Sequence, residues 1–359
     1  MNKIMKYLII TASLLLGMTL GAQTKVTKKI AAKSTDFGIT YTLPKTSLVV
    51  TAEVIKITAQ AGPYFRYAEK YLGVKNPVAE DKTYYQLGKV TIENKGIPDP
   101  ENTYIVEFKP GTVAPYAYLS EEGFLCSINA EYELKTGSAP SAAASSPALD
   151  ATNMSVFTEE LLMAGSTAKQ AEVAAKQIYR IRESRMNLLT GDADNMPPDG
   201  DALKLVILQL ESQEKGLTNL FTGITTSQSS FFDVSITPYE NLEREVLFRF
   251  SDLLGIVDAD DLGGMPVYIN LKSMEPPAAP VDPKEAEKKE KLMKGIIYNV
   301  PGKAQVEIVM NRKSLLKGEV QIVQFGRREN LIPVLFEDKK VPVKVFFYPE
   351  TGAIKQIIQ

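Results

Sequence analysis

Two stretches of the chain close on nearly the same five residues, Asn187-Leu188-Leu189-Thr190-Gly191 and Asn219-Leu220-Phe221-Thr222-Gly223. Each ends a run of apolar residues at helical spacing: Ala171, Ala174, Ile178, Ile181 and Leu188 in the first, and Leu203, Val206, Leu210, Leu217 and Leu220 in the second. The first run opens at Thr167 with Gln170 three residues on, the pattern of a capping box. The second follows Pro197, Pro198 and Asp199, a helix-start signal, and each closing glycine suits the left-handed residue that ends a helix. The spacing predicts two helices of about 30 Å. Their short acidic connection makes them an antiparallel hairpin, with Arg180, Arg182, Glu183 and Arg185 lying off the apolar stripe toward water.

The rest of the chain is dominated by β-branched and aromatic residues between turn signals. Residues 47–58, 84–93, 103–108 and 124–134 read as strands before the hairpin, and 230–237, 244–250 and 266–271 after it. Between Gly62 and Gly73, the spacing of Phe65, Ala68, Tyr71 and Leu72 predicts a short inserted helix. A Ser/Ala/Pro-rich stretch and a Pro/Glu/Lys-rich stretch bury too little apolar surface to be core and read as linkers. Gly38-Ile39-Thr40-Tyr41-Thr42-Leu43-Pro44 has a counterpart in Gly295-Ile296-Ile297-Tyr298-Asn299-Val300-Pro301, and Val106 to Pro110 resembles Val345 to Pro349. These matches suggest a duplicated unit. The expected class is α+β, with two related β-rich modules (23–135 and 294–359) flanking the helical hairpin (153–226). A β segment (227–274) and linkers at 136–152 and 275–293 complete the chain.

Lys3 and Lys6, an apolar run from Tyr7 to Leu20, and small residues at Gly21 and Ala22 form the three regions of a secretory signal peptide, residues 1–22. The apolar run is shorter than the roughly 20 residues of a spanning helix, and no later stretch reaches that length. The only cysteine, Cys126, is far from the cleavage point, so lipid anchoring is not expected. The mature chain is therefore expected outside the cytoplasm, with stability drawn from packing rather than disulfides. The chain has 41 basic and 43 acidic residues, which gives no basic surplus for nucleic acid or anionic lipid.

The sequence contains no histidine, which removes the commonest general base, Ser-His and Cys-His nucleophile pairs and the usual zinc sites. Ser166 with Lys169 and Ser212 with Lys215 have the S-x-x-K spacing of Ser-Lys enzymes. The accompanying Ser127-Ile128-Asn129 and Lys135-Thr136-Gly137 stand before them, whereas that chemistry places these elements after. Acidic loops at Asp192, Asp194, Asp199 and Asp201, and at Asp258, Asp260 and Asp261, read as solvated turns and helix starts; Met196 stands where a calcium loop needs a ligand. Tyr64, Tyr67, Tyr71, Tyr84 and Tyr85 could stack on sugars but more simply form a half-buried surface. Cys126 reads as a small core residue. No catalytic, metal or cofactor-binding residue stands out, and no cofactor is expected. Tyr64, Tyr67, Tyr71, Arg182 and Arg185 are the candidates for an interaction surface.

Taken together, Tyr41-Thr42-Leu43-Pro44-Lys45-Thr46, Arg182-Glu183-Ser184-Arg185, Leu189-Thr190-Gly191, Pro198-Asp199-Gly200, Leu220-Phe221-Thr222-Gly223 and Phe347-Tyr348-Pro349-Glu350-Thr351-Gly352 are similar to an exported family of Bacteroidota-type bacteria known only as a domain of unknown function. The resemblance implies export from a Gram-negative cell, to the periplasm or outer-membrane periphery, and no reaction or ligand. The expectation is a non-enzymatic envelope scaffold or protein-interaction protein with an envelope protein as partner. The alternative is a glycan-binding module or a carboxylate-based glycan-processing enzyme.

Overall fold

The computed structural model describes residues 25–28, 38–107, 117–132, 158–193, 200–275, 295–332, 335 and 343–359. Residues 1–22, expected to be a signal peptide, and most of both expected linkers lie outside the described residues. The strands are β1 (Lys25–Lys28), β2 (Gly38–Gln60), β3 (Lys82–Glu107), β4 (Ala117–Leu119), β5 (Leu125–Ile128), β6 (Ile224–Ile236), β7 (Leu242–Ser251), β8 (Gly255–Val257), β9 (Met265–Ser273), β10 (Ile296–Met310), β11 (Lys313–Leu331), β12 (Lys344–Phe347) and β13 (Ile354–Ile358). The helices are α1 (Ala68–Leu72), preceded by a 3₁₀ turn at Phe65–Tyr67, α2 (Glu159–Met163), α3 (Thr167–Thr190) and α4 (Asp201–Thr222). The class is α+β, as expected.

The strands form three sheets in the orders β1-β3-β2-β6, β11-β10-β9-β7-β8 and β13-β12-β5-β4. Two-residue alternation explains how the first two pack. Leu48, Val50 and Ala52 of β2 point one way, and Val267, Ile269 and Leu271 of β9 and Ala304, Val306 and Ile308 of β10 point back at them, all buried in one core. A second core joins the chain's two ends: Tyr41, Leu43, Tyr104 and Ile128 pack with Ile296, Ile297, Val345 and Phe347. The third sheet makes the same junction, since β12 pairs antiparallel with β5 through Val345↔Ile128 and Phe346↔Ser127. The two β-rich segments therefore interleave in space instead of folding side by side.

Residues 84–93 and 103–108, read from the sequence as two strands, lie almost wholly in the single strand β3. The interruption between them is a wide bulge: β2 and β3 pair at Thr42↔Thr103 and next at Pro44↔Pro98, so residues 99–102 stand opposite Leu43 alone. The second long hairpin has the same irregularity. Between Val300↔Arg327 and Gly302↔Ile322, residues 323–326 stand opposite Pro301 alone. Each long hairpin is also tied to the turn of the short hairpin that follows it. Thr42 N–H donates to Gly123 O at 3.0 Å, and Asn299 N–H donates to Gly352 O at 3.1 Å; both glycines have positive φ (83° and 69°). Gly38 and Gly295 thus precede or open corresponding strands, whereas Val106 lies in β3 and Val345 in β12, so the second sequence match falls on non-corresponding strands.

Candidate functional site

The helical hairpin is anchored at one end. Ala171, Ala174 and Ile178 of α3 and Leu217 and Phe221 of α4 bury against Leu161, Tyr64 and Ala68, forming a third core. The cap of α3 is Ser166, one residue before the expected Thr167: its Oγ accepts from Lys169 N–H at 3.3 Å. Gln170, expected to close a capping box, instead donates to Ala164 O. Asp201 falls in the first turn of α4, where its charge favours the helix dipole, and the N-cap position is Gly200 without a side-chain bond. Gly191 ends α3 in the left-handed region. Gly223 has φ 76° but ψ −179°, because the chain leaves α4 straight into β6.

The segment inserted between β2 and β3 docks on the C-terminal end of α4. Tyr64 N–H donates to Leu220 O at 2.8 Å and Val78 N–H to Thr222 O at 2.9 Å, supplying donors that end-of-helix carbonyls lack within the helix. A Cβ at Gly62 would fall 2.4 Å from Leu220 O, so only glycine permits this approach. Tyr64 is 4% exposed, with its ring 5.5 Å from that of Phe221, and burial raises its pKa. Tyr71 meets Phe221 edge-on at 6.5 Å, and Tyr67 lies 6.3 Å from Tyr71. The tyrosines singled out in the sequence therefore gather at the base of the hairpin, Tyr64 as core and Tyr67 and Tyr71 half-buried. Tyr84 and Tyr85 are half-buried on β3, away from this group.

Arg182 and Arg185 serve the hairpin itself. Arg182 Nε donates to Glu214 Oε1 at 2.6 Å and Arg185 Nη1 to Glu214 Oε2 at 2.7 Å, so one carboxylate of α4 clamps both guanidinium groups of α3. Beyond this clamp, toward the tip, Met186 (60% exposed), Leu189 (63%), Leu205 (68%) and Leu208 (53%) face outward. None of these four lies on the expected apolar stripe; of the stripe residues, Val206 is 37% exposed and departs from the expectation. The first turns of α4 present Leu205 and Leu208 on a face that no described element covers.

Clefts also lie elsewhere, two of them at the junctions of the hairpins. The twin bulges face each other across one of about 750 Å³, with Asp99, Glu101 and Asn102 on one side, Gln324, Arg327 and Arg328 on the other, and Lys45, Tyr239 and Asn299 between. Gln324 grips Thr46 main chain at both N–H (2.9 Å) and O (2.7 Å), and Arg328 donates to Asn102 Oδ1 and Tyr104 Oη, so the walls are braced to each other. Lys45 Nζ donates to Tyr239 Oη at 3.1 Å, which raises the lysine's pKa. The second cleft, about 530 Å³, is lined by Tyr132, Tyr348, Glu122, Glu131 and Glu350. Nothing in the sequence marked either cleft, because segments far apart in the chain build them: the two bulges in the first, and residues 94–96, 120–132 and 346–355 in the second.

Several motifs weighed for enzymatic chemistry have structural roles, while Ser212 and Lys215 are exposed on α4 and Asp194 and Asp199 lie outside the described residues. Ser166 is a helix cap, Lys169 pairs with Glu172 at 3.1 Å, and Ser127 is buried with its hydroxyl on Ala130 O. Asp261 and Asp258 close a turn through Gly263 N–H and Asp261 N–H. Lys135-Thr136-Gly137 lies outside the described residues. Cys126 is fully buried, and burial pushes its thiol up to about 11. Among the described residues no group of three or more Cys, Asp and Glu could hold a metal ion, and no helix is long and apolar enough to cross a membrane.

Residues 37–355 match the family model described as Domain of unknown function (DUF4831), and the chain belongs to that family. No curated protein and no solved structure matches the chain.

Proposed function

We propose that this family member is a non-enzymatic interaction protein exported to the periplasm or outer-membrane periphery of a Gram-negative cell, where the β body is the scaffold and the helical hairpin the contact element for an envelope protein. The observation that carries this reading is the distal half of the hairpin. Its helices are held to each other by Glu214 and leave Met186, Leu189, Leu205 and Leu208 exposed with no described element against them. Exposed apolar surface on a rigid projection is the usual mark of a docking site. The leader at residues 1–22 supports the location. A photoreactive residue at position 205 or 208 should give one discrete crosslinked adduct in envelope fractions, lost in a Leu208→Asp variant of the position-205 probe. Absence of an adduct in every fraction would refute the reading.

The glycan alternative now rests on Tyr132 and Tyr348, not on Tyr64, Tyr67 and Tyr71. Two half-exposed rings beside Glu122, Glu131 and Glu350 supply stacking faces and hydroxyl acceptors in one cleft. A glycan array with the wild type and Tyr348→Ala tests it, and equal signals from both would exclude that cleft. We also infer that the β2–β5 and β10–β13 units are copies of one ancestral unit. The support is the shared bulge and the shared tie from bulge to glycine turn.

A further inference from the structure

Strand β6 is the outer strand of its sheet and runs 13 residues, Ile-Thr-Thr-Ser-Gln-Ser-Ser-Phe-Phe-Asp-Val-Ser-Ile. It pairs with β2 from Leu48↔Ile236 to Gln60↔Ile224 without one register shift. Proteins blunt exposed edges by keeping them short, or with charges, prolines or bulges. The other edges of this molecule follow that rule: β1, β4, β8 and β13 have at most five residues, and the parts of β3 and β7 that β1 and β8 leave uncovered are bulged and carry charges, among them Lys89, Glu93, Lys95, Asp99, Glu101, Glu243, Arg244 and Glu245. The 19-residue β11 is bulged and carries Lys313, Lys317, Glu319, Arg327, Arg328 and Glu329. β6 has none of these protections. Asp233 is its single charge, tied to the Thr51 hydroxyl at 2.6 Å, and Phe231 and Phe232 are 48% and 37% exposed.

The side chains show which main-chain groups are free. Thr226 Oγ1 donates to Thr58 O and Ser230 Oγ to Val54 O, each the residue directly opposite in the ladder. Carbonyls opposite the even-numbered residues thus point at β6. The alternation of antiparallel pairing then turns the N–H and C=O of Thr225, Ser227, Ser229, Phe231, Asp233 and Ser235 away from β2. Among the described residues no main-chain hydrogen bond reaches them from another strand.

We propose that β6 is a self-association edge on which a second copy of this chain lays its own β6, antiparallel, about a two-fold axis at Ser230. The strand is its own complement in this register. Thr225 faces Ser235, Ser227 faces Asp233 and Ser229 faces Phe231, each twice, so no charge meets its like and every outward group is paired. The six outward residues then make about 12 main-chain hydrogen bonds, against about 10 in a typical interface. The edge needs no other element to be sufficient. A segment of another protein could add to the same edge, but it would not be drawn to the symmetric register that the position of Asp233 favours.

Sedimentation velocity on the purified chain from about 1 to 100 µM tests this, with Ser229→Pro, Phe231→Lys and, on the short β13 edge, Ile357→Lys. Proline at 229 removes only an outward N–H and leaves the β2 ladder intact; far-UV circular dichroism and thermal melting verify the fold of each variant. The expected result is a concentration-dependent dimer in the wild type and in Ile357→Lys, weakened at least about 10-fold in both β6 variants. A monomer throughout the range overturns the proposal, including one whose β6 recruits a different protein. So does a dimer unaffected by both β6 variants, or one lost in Ile357→Lys.

Discussion

Replacing Tyr41 by Phe removes a single oxygen from the junction of the chain's two ends. That hydroxyl donates to Ile297 O at 3.1 Å and accepts from Ile297 N–H at 2.9 Å, within a side chain 1% exposed. The phenyl ring would keep its packing against Tyr104, 5.7 Å away, so no cavity opens. What is lost is the partner of two buried main-chain groups, each costing about 1–3 kcal/mol when unsatisfied. With partial relaxation, the expected loss is about 2–4 kcal/mol, roughly 30- to 700-fold in the unfolding constant. Urea unfolding followed by circular dichroism at pH 7.5 reads it as a lower midpoint at unchanged slope. Burial also raises the Tyr41 pKa well above the ordinary 10.0. The neutral phenol's contribution is therefore complete below pH 10 and is lost as pH rises toward the folded-state value, a dependence absent from Tyr41→Phe. A loss under about 1 kcal/mol at pH 7.5 would refute the view that this hydroxyl joins the two halves.

Cys126 adds to the same alkaline weakness. Burial pushes its thiol up to about 11 from an ordinary value near 9, so its contribution to stability is complete below the ordinary value and falls by roughly 2–3 kcal/mol as pH rises toward 11, and Cys126→Ala should flatten that part of a stability-versus-pH curve. Glu214→Ala leaves Arg182 and Arg185 without their shared carboxylate; hydrogen exchange should accelerate in residues 181–191 and 201–212, while β9 and β10 keep their protection. Gly62→Ala drives a methyl into Leu220 O, so the inserted segment must separate from α4 at a cost of about 1–3 kcal/mol, measured as a lower melting temperature.

The helices were legible because period, caps and closing glycines all act within one element; α3 starts at Thr167 as read, but its cap was placed one residue late because Ser166 and Thr167 are both good capping residues and only the hydroxyl's direction separates them. Strands β2, β3, β5, β6, β7 and β9 were legible from alternation, but their partners were not. Nothing local in Leu43 or Pro301 announces that four residues of the returning strand will bulge opposite it. For the same reason the two clefts were invisible, since their walls meet only after the hairpins have paired. Arg182 and Arg185 were recognised as off the apolar stripe, yet Glu214, which holds both, is some thirty residues away and looks like any solvent-facing acid.

The pairing of β5 with β12 has a consequence in time. Ile128 waits for Val345, more than 200 residues later in the chain. At a synthesis rate of about 5–20 residues per second, that partner emerges roughly 10–40 s after Ile128 does. Until then the first half of the chain has no way to seal its second core, and so no stable unit on which to stall. Under the proposed export, that delay keeps the chain open while it threads a narrow passage. A product cut short before β12 would stay open, its apolar strands displayed to whatever degrades unfinished chains.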